Sequence, residues 1–297
     1  MTLSRFCAAL SLIVMPASGF AAPTPLPVSK PVSTGAFHLA GAFHLDRVAQ
    51  QGGMALGTVP TGTTRLVKDG ADIAFAPDGR FLIAFGRDHT TIAILSATLA
   101  NGRSVTERIA VAPRAWRIES LPTLPHHSQP DAEFQARRPA ELAQIEAARK
   151  TVSDSQGWRQ AFIWPARGRI SGVFGSQRIY AGQPGAPHNG VDVAGGIGAP
   201  VVAPADGVVI LAANSPFTLE GNLLMIDHGM GLNSAFLHLS RIDVKVGDHI
   251  RQGQPIGAIG KTGRVTGPHL HWGMKWHDER IDPQNVVTRS TIVGATN

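Results

Sequence analysis

Three short histidine-bearing blocks follow one another in the downstream half of this chain: His188-Asn-Gly-Val-Asp192, Phe236-Leu-His238-Leu-Ser240 and Gly267-Pro-His269-Leu-His271-Trp272. Their internal spacing restricts the local fold more than any other feature. Residues 269 and 271 are two apart, and because side chains alternate faces along a strand, a strand here projects both imidazoles from one face. His188 and Asp192 are four apart, a spacing that puts both on one face of either a helix or a strand. Gly190 between them and the Gly195-Gly196 run after them disfavour helix, so the segment reads as extended with both side chains pointing one way.

Such a set suits a metal. Zinc takes neutral imidazole nitrogen at roughly 2.0–2.1 Å together with carboxylate oxygen, and catalytic sites keep three protein ligands and leave the fourth position to water. Two histidines and one aspartate meet that count, and the remaining histidines are spare imidazoles for proton transfer. A single histidine on an apolar strand is ordinarily a hydrogen-bonded core or surface residue; the ordered combination of three blocks is what argues for a site.

The blocks HNGVD, FLHLS and GPHLHWG, in this order, resemble the lysostaphin-like (LytM-type) zinc metalloendopeptidases, which cleave peptide cross-bridges of bacterial peptidoglycan. The text between them fits the same strand-and-turn framework: APVVAPADGVV from Ala199, GNLLMIDHG from Gly221 and VGDHIRQGQPIGAIGKTGRVTG from Val246. The resemblance covers roughly residues 160–290. It implies that His188, Asp192 and His271 hold one Zn2+ per chain, and that His238 and His269 stand beside the attacking water. One of these two imidazoles would take the water proton and return it to the leaving amine, or hydrogen-bond the developing oxyanion; the sequence does not assign which does which. Tyr180, the only tyrosine, lies eight residues ahead of His188, in the region where relatives place an oxyanion-supporting tyrosine, and is carried as a candidate for that role. Phe236 stands where many relatives have tyrosine and reads as a packing residue. His228, before a Gly-Met-Gly turn, reads as a turn residue lining the groove.

The rest of the chain is organised around this domain. Of 297 residues, 33 are glycine, 21 are proline and only 16% are charged, a balance that suits β-structure with many turns. Residues 1–21 read as a signal peptide, with Arg5, an apolar stretch from Phe6 to Met15 and small residues before Ala21. Cys7, the only cysteine, falls inside it. Residues 22–49 read as a flexible leader, including the doubled GAFHL at Gly35 and Gly41. Residues 50–118 carry short apolar runs between turn signals at Lys68-Asp-Gly, Pro77-Asp-Gly and Asn101-Gly, with Phe81-Leu-Ile-Ala-Phe and Thr91-Ile-Ala-Ile-Leu as the best strands; they read as an immunoglobulin-like β-sandwich. Residues 119–159 form a linker with a proline-rich joint at Leu121–Pro130 and an exposed helix from about Pro139 to Asp154.

The expectation is therefore a mainly β protein: an N-terminal immunoglobulin-like β-sandwich, a linking helix, and over residues 160–290 an antiparallel β peptidase domain with an open groove. The function implied is a periplasmic or secreted zinc endopeptidase acting on peptidoglycan stem peptides or cross-bridges. The alternative from another class is a catalytically inactive cell-wall-binding regulator that activates an amidase, which would be expected to lose ligands. Removing Arg5 leaves 26 basic against 21 acidic residues, a net charge of +5. With no basic stripe interleaved with aromatics, no nucleic-acid partner is expected. No segment approaches the ~20 apolar residues of a membrane span, so no stable membrane insertion is expected either. The charged face of the linking helix offers a surface for an envelope protein partner.

Overall fold

Alternating apolar residues build the central feature of the molecule, an eight-stranded antiparallel sheet. In the computed structural model, which describes residues 43–124, 132–213 and 215–287, its strands lie side by side in the order His249–Ile250, Gly207–Ala212, Asn222–Asp227, Leu232–Leu239, His269–Trp276, Val191–Ala194 and Ile170–Gly172, and Glu279–Ile281 also pairs with His269–Trp276. Along Leu232–Leu239, residues Leu232, Ser234 and Phe236 face the core, and along His269–Trp276 so do Leu270, Trp272 and Met274. The period of two leaves His269, His271, Gly273 and Lys275 on the opposite face. Pro200–Val202, Pro255–Ala258 and Arg241–Ile242 form a second, three-stranded sheet. The mainly β expectation and the antiparallel peptidase sheet both hold.

Upstream, strands Gly53–Thr58 and Arg80–Phe85 form a three-stranded sheet with His44–Leu45, while Ala71–Ile73, Thr63–Lys68, Ile92–Leu99 and Ser104–Ala110 form a four-stranded one. The expected strands Phe81-Leu-Ile-Ala-Phe and Thr91-Ile-Ala-Ile-Leu fall in Arg80–Phe85 and Ile92–Leu99, the second starting one residue later and running four residues further. Residues 43–49 belong to this module although they read as the end of a leader: Phe43 is fully buried edge-on to Phe81, and Leu45 pairs with Gly57. Burying that aromatic outweighs the turn-rich composition around it. The apolar residues of the upstream module and of the peptidase domain form one continuous cluster.

The segment read as a linker is mostly structured. Ile118–Leu121 pairs in parallel with Gln177–Tyr180, extending the hairpin that Gln177–Tyr180 makes with Gln183–Pro184. Helix α1 spans Ala132–Arg149, starting and ending earlier than the expected 139–154, with Pro139 inside it. Proline costs a helix its i→i−4 bond at that position; tertiary contacts offset the loss. Ile145 and Ala148 pack on Ile210, Phe217, Leu223 and Met225, Glu141 accepts from the Thr218 amide and hydroxyl, and Arg138 forks onto both oxygens of Glu220 at 2.5 and 2.8 Å. The readings of residues 1–21 as a signal peptide, of 22–42 as leader, of Cys7 and of the prolines at 125–130 lie outside the described residues. Among the described residues no helix is long and apolar enough to cross a membrane.

Candidate metal centre

Sheet register brings together residues separated by some 80 positions. Asp192 and His271 are direct cross-strand partners, and Ala194 pairs with His269. On the other side of the same strand Leu237 pairs with His271, which sets His238 at the neighbouring corner. By alternation alone His238 would follow Phe236 into the core. Instead a register shift lies between Asn222 and Leu224 on the partner strand, and His238 adopts φ = 65°. That left-handed backbone, costing about 1–2 kcal/mol for a non-glycine residue, turns the imidazole to the site, where its ring lies 5.0 Å from that of His269 and 6.3 Å from that of His271.

His188 enters from the loop before Val191–Ala194. Its amide donates to the Ser176 carbonyl and its own carbonyl accepts from Gly175 N–H, both at 2.8 Å. Three atoms then converge: His188 Nε2 is 3.2 Å from both Asp192 Oδ1 and His271 Nδ1, and His271 Nδ1 is 2.9 Å from Asp192 Oδ1. Tetrahedral bonds of roughly 2.0–2.1 Å imply ligand-to-ligand edges of about 3.3 Å, so this triangle has the size and donor chemistry of one face of a zinc site. These are the only three His, Cys, Asp or Glu residues so grouped among the described residues. His269 Nε2 stands just outside, 3.6 Å from Asp192 Oδ1.

The far side of each ring is held by backbone. His188 Nδ1–H donates to Val173 O at 3.1 Å, His238 Nδ1–H to Thr262 O at 3.0 Å and His269 Nδ1–H to Gly267 O at 2.9 Å. The bond on Nδ1 turns Nε2 toward the site in all three, the arrangement by which outer groups orient metal-binding and proton-transferring imidazoles. Two glycines let the parts close up. A Cβ at Gly172 would lie 2.2 Å from Asp192 Oδ2, and one at Gly190 2.7 Å from His271 Nε2 and 2.5 Å from the Trp272 carbonyl. Sequence reasoning missed Gly172, Val173 and Thr262; a glycine within an extended segment is the signal that marks the first.

Electrostatics follow from burial and pairing. Burial opposes ionisation of Asp192, but hydrogen bonds and charge from His188 and His271 hold its carboxyl far below the usual range. Burial also disfavours the charged form of His188, yet the Asp192 hydrogen bond and charge raise it above an ordinary histidine. His271 is lowered, chiefly by burial. Burial, only partly offset by the Thr262 hydrogen bond, brings His238 down to about 4.

Tyr180 and His228 have surroundings of their own. Tyr180 lies on the Gln177–Tyr180 hairpin strand, with its ring against Gly185. His228, read as a groove residue, is instead fully buried. Its Nδ1–H donates to Asp206 O at 2.8 Å, its Nε2 accepts from Ser234 Oγ at 2.9 Å, and that oxygen accepts from Trp272 Nε1. The Gly-Met-Gly turn is present, with positive φ at Gly229, Met230 and Gly231, but it points the preceding ring into the core, where burial lowers His228 to about 4.

Four histidines and one aspartate thus gather on one face of an antiparallel sheet, a donor set of the kind that zinc hydrolases use. Residues 186–283 of this chain match the model of peptidase family M23. The chain is similar to the peptidoglycan DD-endopeptidase ShyA of Vibrio cholerae, 46% identical over 114 residues that make up 38% of this chain and 26% of that protein. It is likewise similar to the peptidoglycan DD-endopeptidase ShyB of the same organism, 44% identical over 96 residues, 32% of this chain and 22% of that one. The matched segment thus spans about a quarter of these relatives. A crystal structure of a putative peptidase M23 from Pseudomonas aeruginosa superposes over 81% of this chain and 96% of that one, at a TM-score of 0.63 and 28% identity. That likeness extends well beyond the peptidase domain.

Proposed function

We propose that the protein is a zinc-dependent endopeptidase that hydrolyses peptide bonds in peptidoglycan stem peptides or cross-bridges, in the periplasm or outside the cell. The observation that carries this reading is the triangle of His188 Nε2, Asp192 Oδ1 and His271 Nδ1 with the His238 and His269 rings beside it. In this reading His188, Asp192 and His271 hold one zinc ion. When bound, zinc supplies Lewis-acid polarisation of the scissile carbonyl and makes water acidic near neutral pH. His238 and His269 do the proton work. With Nδ1–H fixed on Thr262 O and Gly267 O, each presents Nε2 to the groove. A histidine lowered to about 4 is neutral at physiological pH, so His238 is free to accept the proton of the attacking water and pass it to the leaving amine. His269, next to Asp192, is placed to hold the water or the developing oxyanion, and Tyr180 is retained as a supporting group on the hairpin ahead of His188. All five site positions are filled, which speaks against the inactive amidase-activating regulator.

The test is digestion of purified peptidoglycan of defined cross-link type, with new termini identified by mass spectrometry. Cleavage is expected, is lost on chelation and returns with one equivalent of zinc; His271→Ala is expected to lose most of the metal by elemental analysis. No new termini from the metal-loaded protein on any cross-link type would refute the reading.

A further inference from the structure

His238 holds a backbone conformation that its own strand does not supply. At φ = 65° it is left-handed within Leu232–Leu239, and such a residue persists only where its surroundings over-determine it. Two loops do so. The His238 N–H donates to the Glu220 carbonyl at 2.9 Å, and its Nδ1–H to the Thr262 carbonyl at 3.0 Å. The loops also grip each other: Thr262 Oγ1 accepts from the Asn222 N–H at 2.9 Å, the Arg264 N–H donates to Leu219 O at 3.1 Å, and a Cβ at Gly221 would lie 2.3 Å from Thr262 Oγ1.

Helix α1 holds the first of these loops. Arg137 donates to the Pro216 carbonyl at 2.7 Å, Glu141 accepts from the Thr218 amide and hydroxyl at 2.8 and 2.6 Å, and Arg138 forks onto the Glu220 carboxylate. It reaches the second through Phe134, whose ring centre has the guanidiniums of Arg138 and Arg264 at 6.0 and 5.9 Å, within cation–π range. The fork bears most directly on His238, because the residue that Arg138 neutralises is the one whose carbonyl His238 uses. Glu220 is buried, and Arg149 and Arg280 add charge at longer range. A buried carboxylate stripped of its hydrogen-bonded cation is strongly unfavourable. Removing the Arg138 guanidinium therefore drives Glu220 toward water and draws its peptide group away from the His238 N–H. All of α1, Ala132–Arg149, lies upstream of residues 186–283, so this support comes from outside the segment that matches the family.

We propose that Arg138 is a positioning residue for the peptidase reaction: by holding Glu220 in place, it keeps His238 in the left-handed conformation that turns the imidazole to the metal centre. The proposal rests on the peptidase reading above, and two readouts keep the two apart. The first is amide hydrogen exchange on the full chain without substrate, comparing the parent with Arg138→Gln, Arg138→Lys and Gln144→Ala, the last an exposed position on the same helix. In Arg138→Gln the His238 amide is expected to exchange at least ~10-fold faster while residues 233–236 of the same strand keep their protection. Arg138→Lys, which keeps the charge but not the fork, is expected to fall between, and Gln144→Ala to match the parent. The second readout is the rate on soluble cross-linked muropeptides at equal zinc content. There kcat is expected to fall about 10-fold in Arg138→Gln with KM nearly unchanged, since a misplaced proton carrier slows the chemistry without loosening substrate, and Arg138→Lys to recover part of it. A His238 amide as protected in Arg138→Gln as in the parent overturns the proposal, and so does faster exchange shared by the whole strand, which is general destabilisation. An unchanged kcat in a variant whose His238 amide has loosened overturns it too. A parent chain that cuts no muropeptide sinks the peptidase reading and the role in it, whereas the exchange result still decides whether Arg138 holds His238.

Discussion

Replacing Gly172 by alanine separates the metal centre from the fold that carries it. The added methyl would stand 2.2 Å from Asp192 Oδ2, 2.8 Å from its Cγ and 3.1 Å from His188 Cε1, against roughly 3.5 Å for an unstrained contact. Asp192 sits at the end of a short side chain, so the strain is relieved by withdrawing its carboxylate by about 1 Å. Stability therefore changes little. A zinc site as proposed would not tolerate the same movement, because metal bonds hold to within about 0.2 Å and Oδ1 of this carboxylate meets His188 and His271 at 3.2 and 2.9 Å. Disturbing a group that merely orients a ligand already costs about 10–100-fold in metal affinity; displacing the ligand itself puts the expected loss at the top of that range or beyond, ~10²-fold, which is about 2.7 kcal/mol. The assay is competition for zinc against a chromophoric chelator near neutral pH, with the thermal midpoint measured on the same samples. Gly196→Ala is the control, since a Cβ there meets nothing within 4 Å. A Gly172→Ala protein that binds zinc as tightly as the parent would refute the inference that Asp192 is a ligand held in place by this contact.

His238→Ala and His269→Ala are expected to keep zinc while losing activity by roughly 10²-fold or more, the scale of a positioned acid–base group; equal loss of zinc by elemental analysis in both would abolish the division between ligands and proton carriers. His228 predicts a pH dependence of stability. Its folded value of about 4 lies below the ordinary 6.5, so the unfolded chain binds the extra proton: the contribution is fully present above pH ~6.5 and is lost as pH falls toward 4. Between neutral pH and about pH 4.5 this loss is roughly 2–3 kcal/mol, measurable by urea unfolding, and His228→Asn should remove that part of the slope even as it lowers stability at neutral pH. An unaltered slope in the variant would contradict the assignment.

Much of the site is legible in the sequence because strands impose a period of two. His269 and His271 had to share a face, and Asp192 had to leave the core that Val191 and Val193 enter. What alternation cannot predict is a departure from it. His238 reaches the site through a bulge and a left-handed φ, and no local pattern in Phe-Leu-His-Leu-Ser encodes the missing residue on the partner strand. His228 shows the converse: the turn after it is evident from Gly-Met-Gly, but the ring's direction depends on Ser234 and Trp272, distant in sequence. The start of α1 escaped for a similar reason: Pro139 reads as a helix start, but Arg137 and Arg138 of the preceding turn are held by the Pro216 carbonyl and by Glu220, some 80 residues away.

The upstream module reaches the metal centre through the loop ahead of His188, and that coupling is itself open to test. Val173 O anchors His188 Nδ1, and the residues just after it are tied to the other module. Arg87 donates to the Gly175 carbonyl at 3.0 Å and to Gln177 Oε1 at 3.1 Å, and Gln177 N–H donates to Arg117 O. Trp116 lies so close to Gly175 that a Cβ there would meet its ring at 2.2 Å, and Arg87 and Arg114 flank the same indole. The loop thus has partners on the module as well as within the peptidase domain, and its order draws on both. Trp116→Ala leaves every ligand in place while opening a gap under Gly175. Amide hydrogen exchange across residues 173–177 is expected to rise, and zinc affinity to fall by about 10-fold, the lower end of the range for outer-sphere support. Unchanged exchange in this loop, with the variant folded, would mean that the peptidase domain orders His188 by itself and that the upstream module acts only as a spacer.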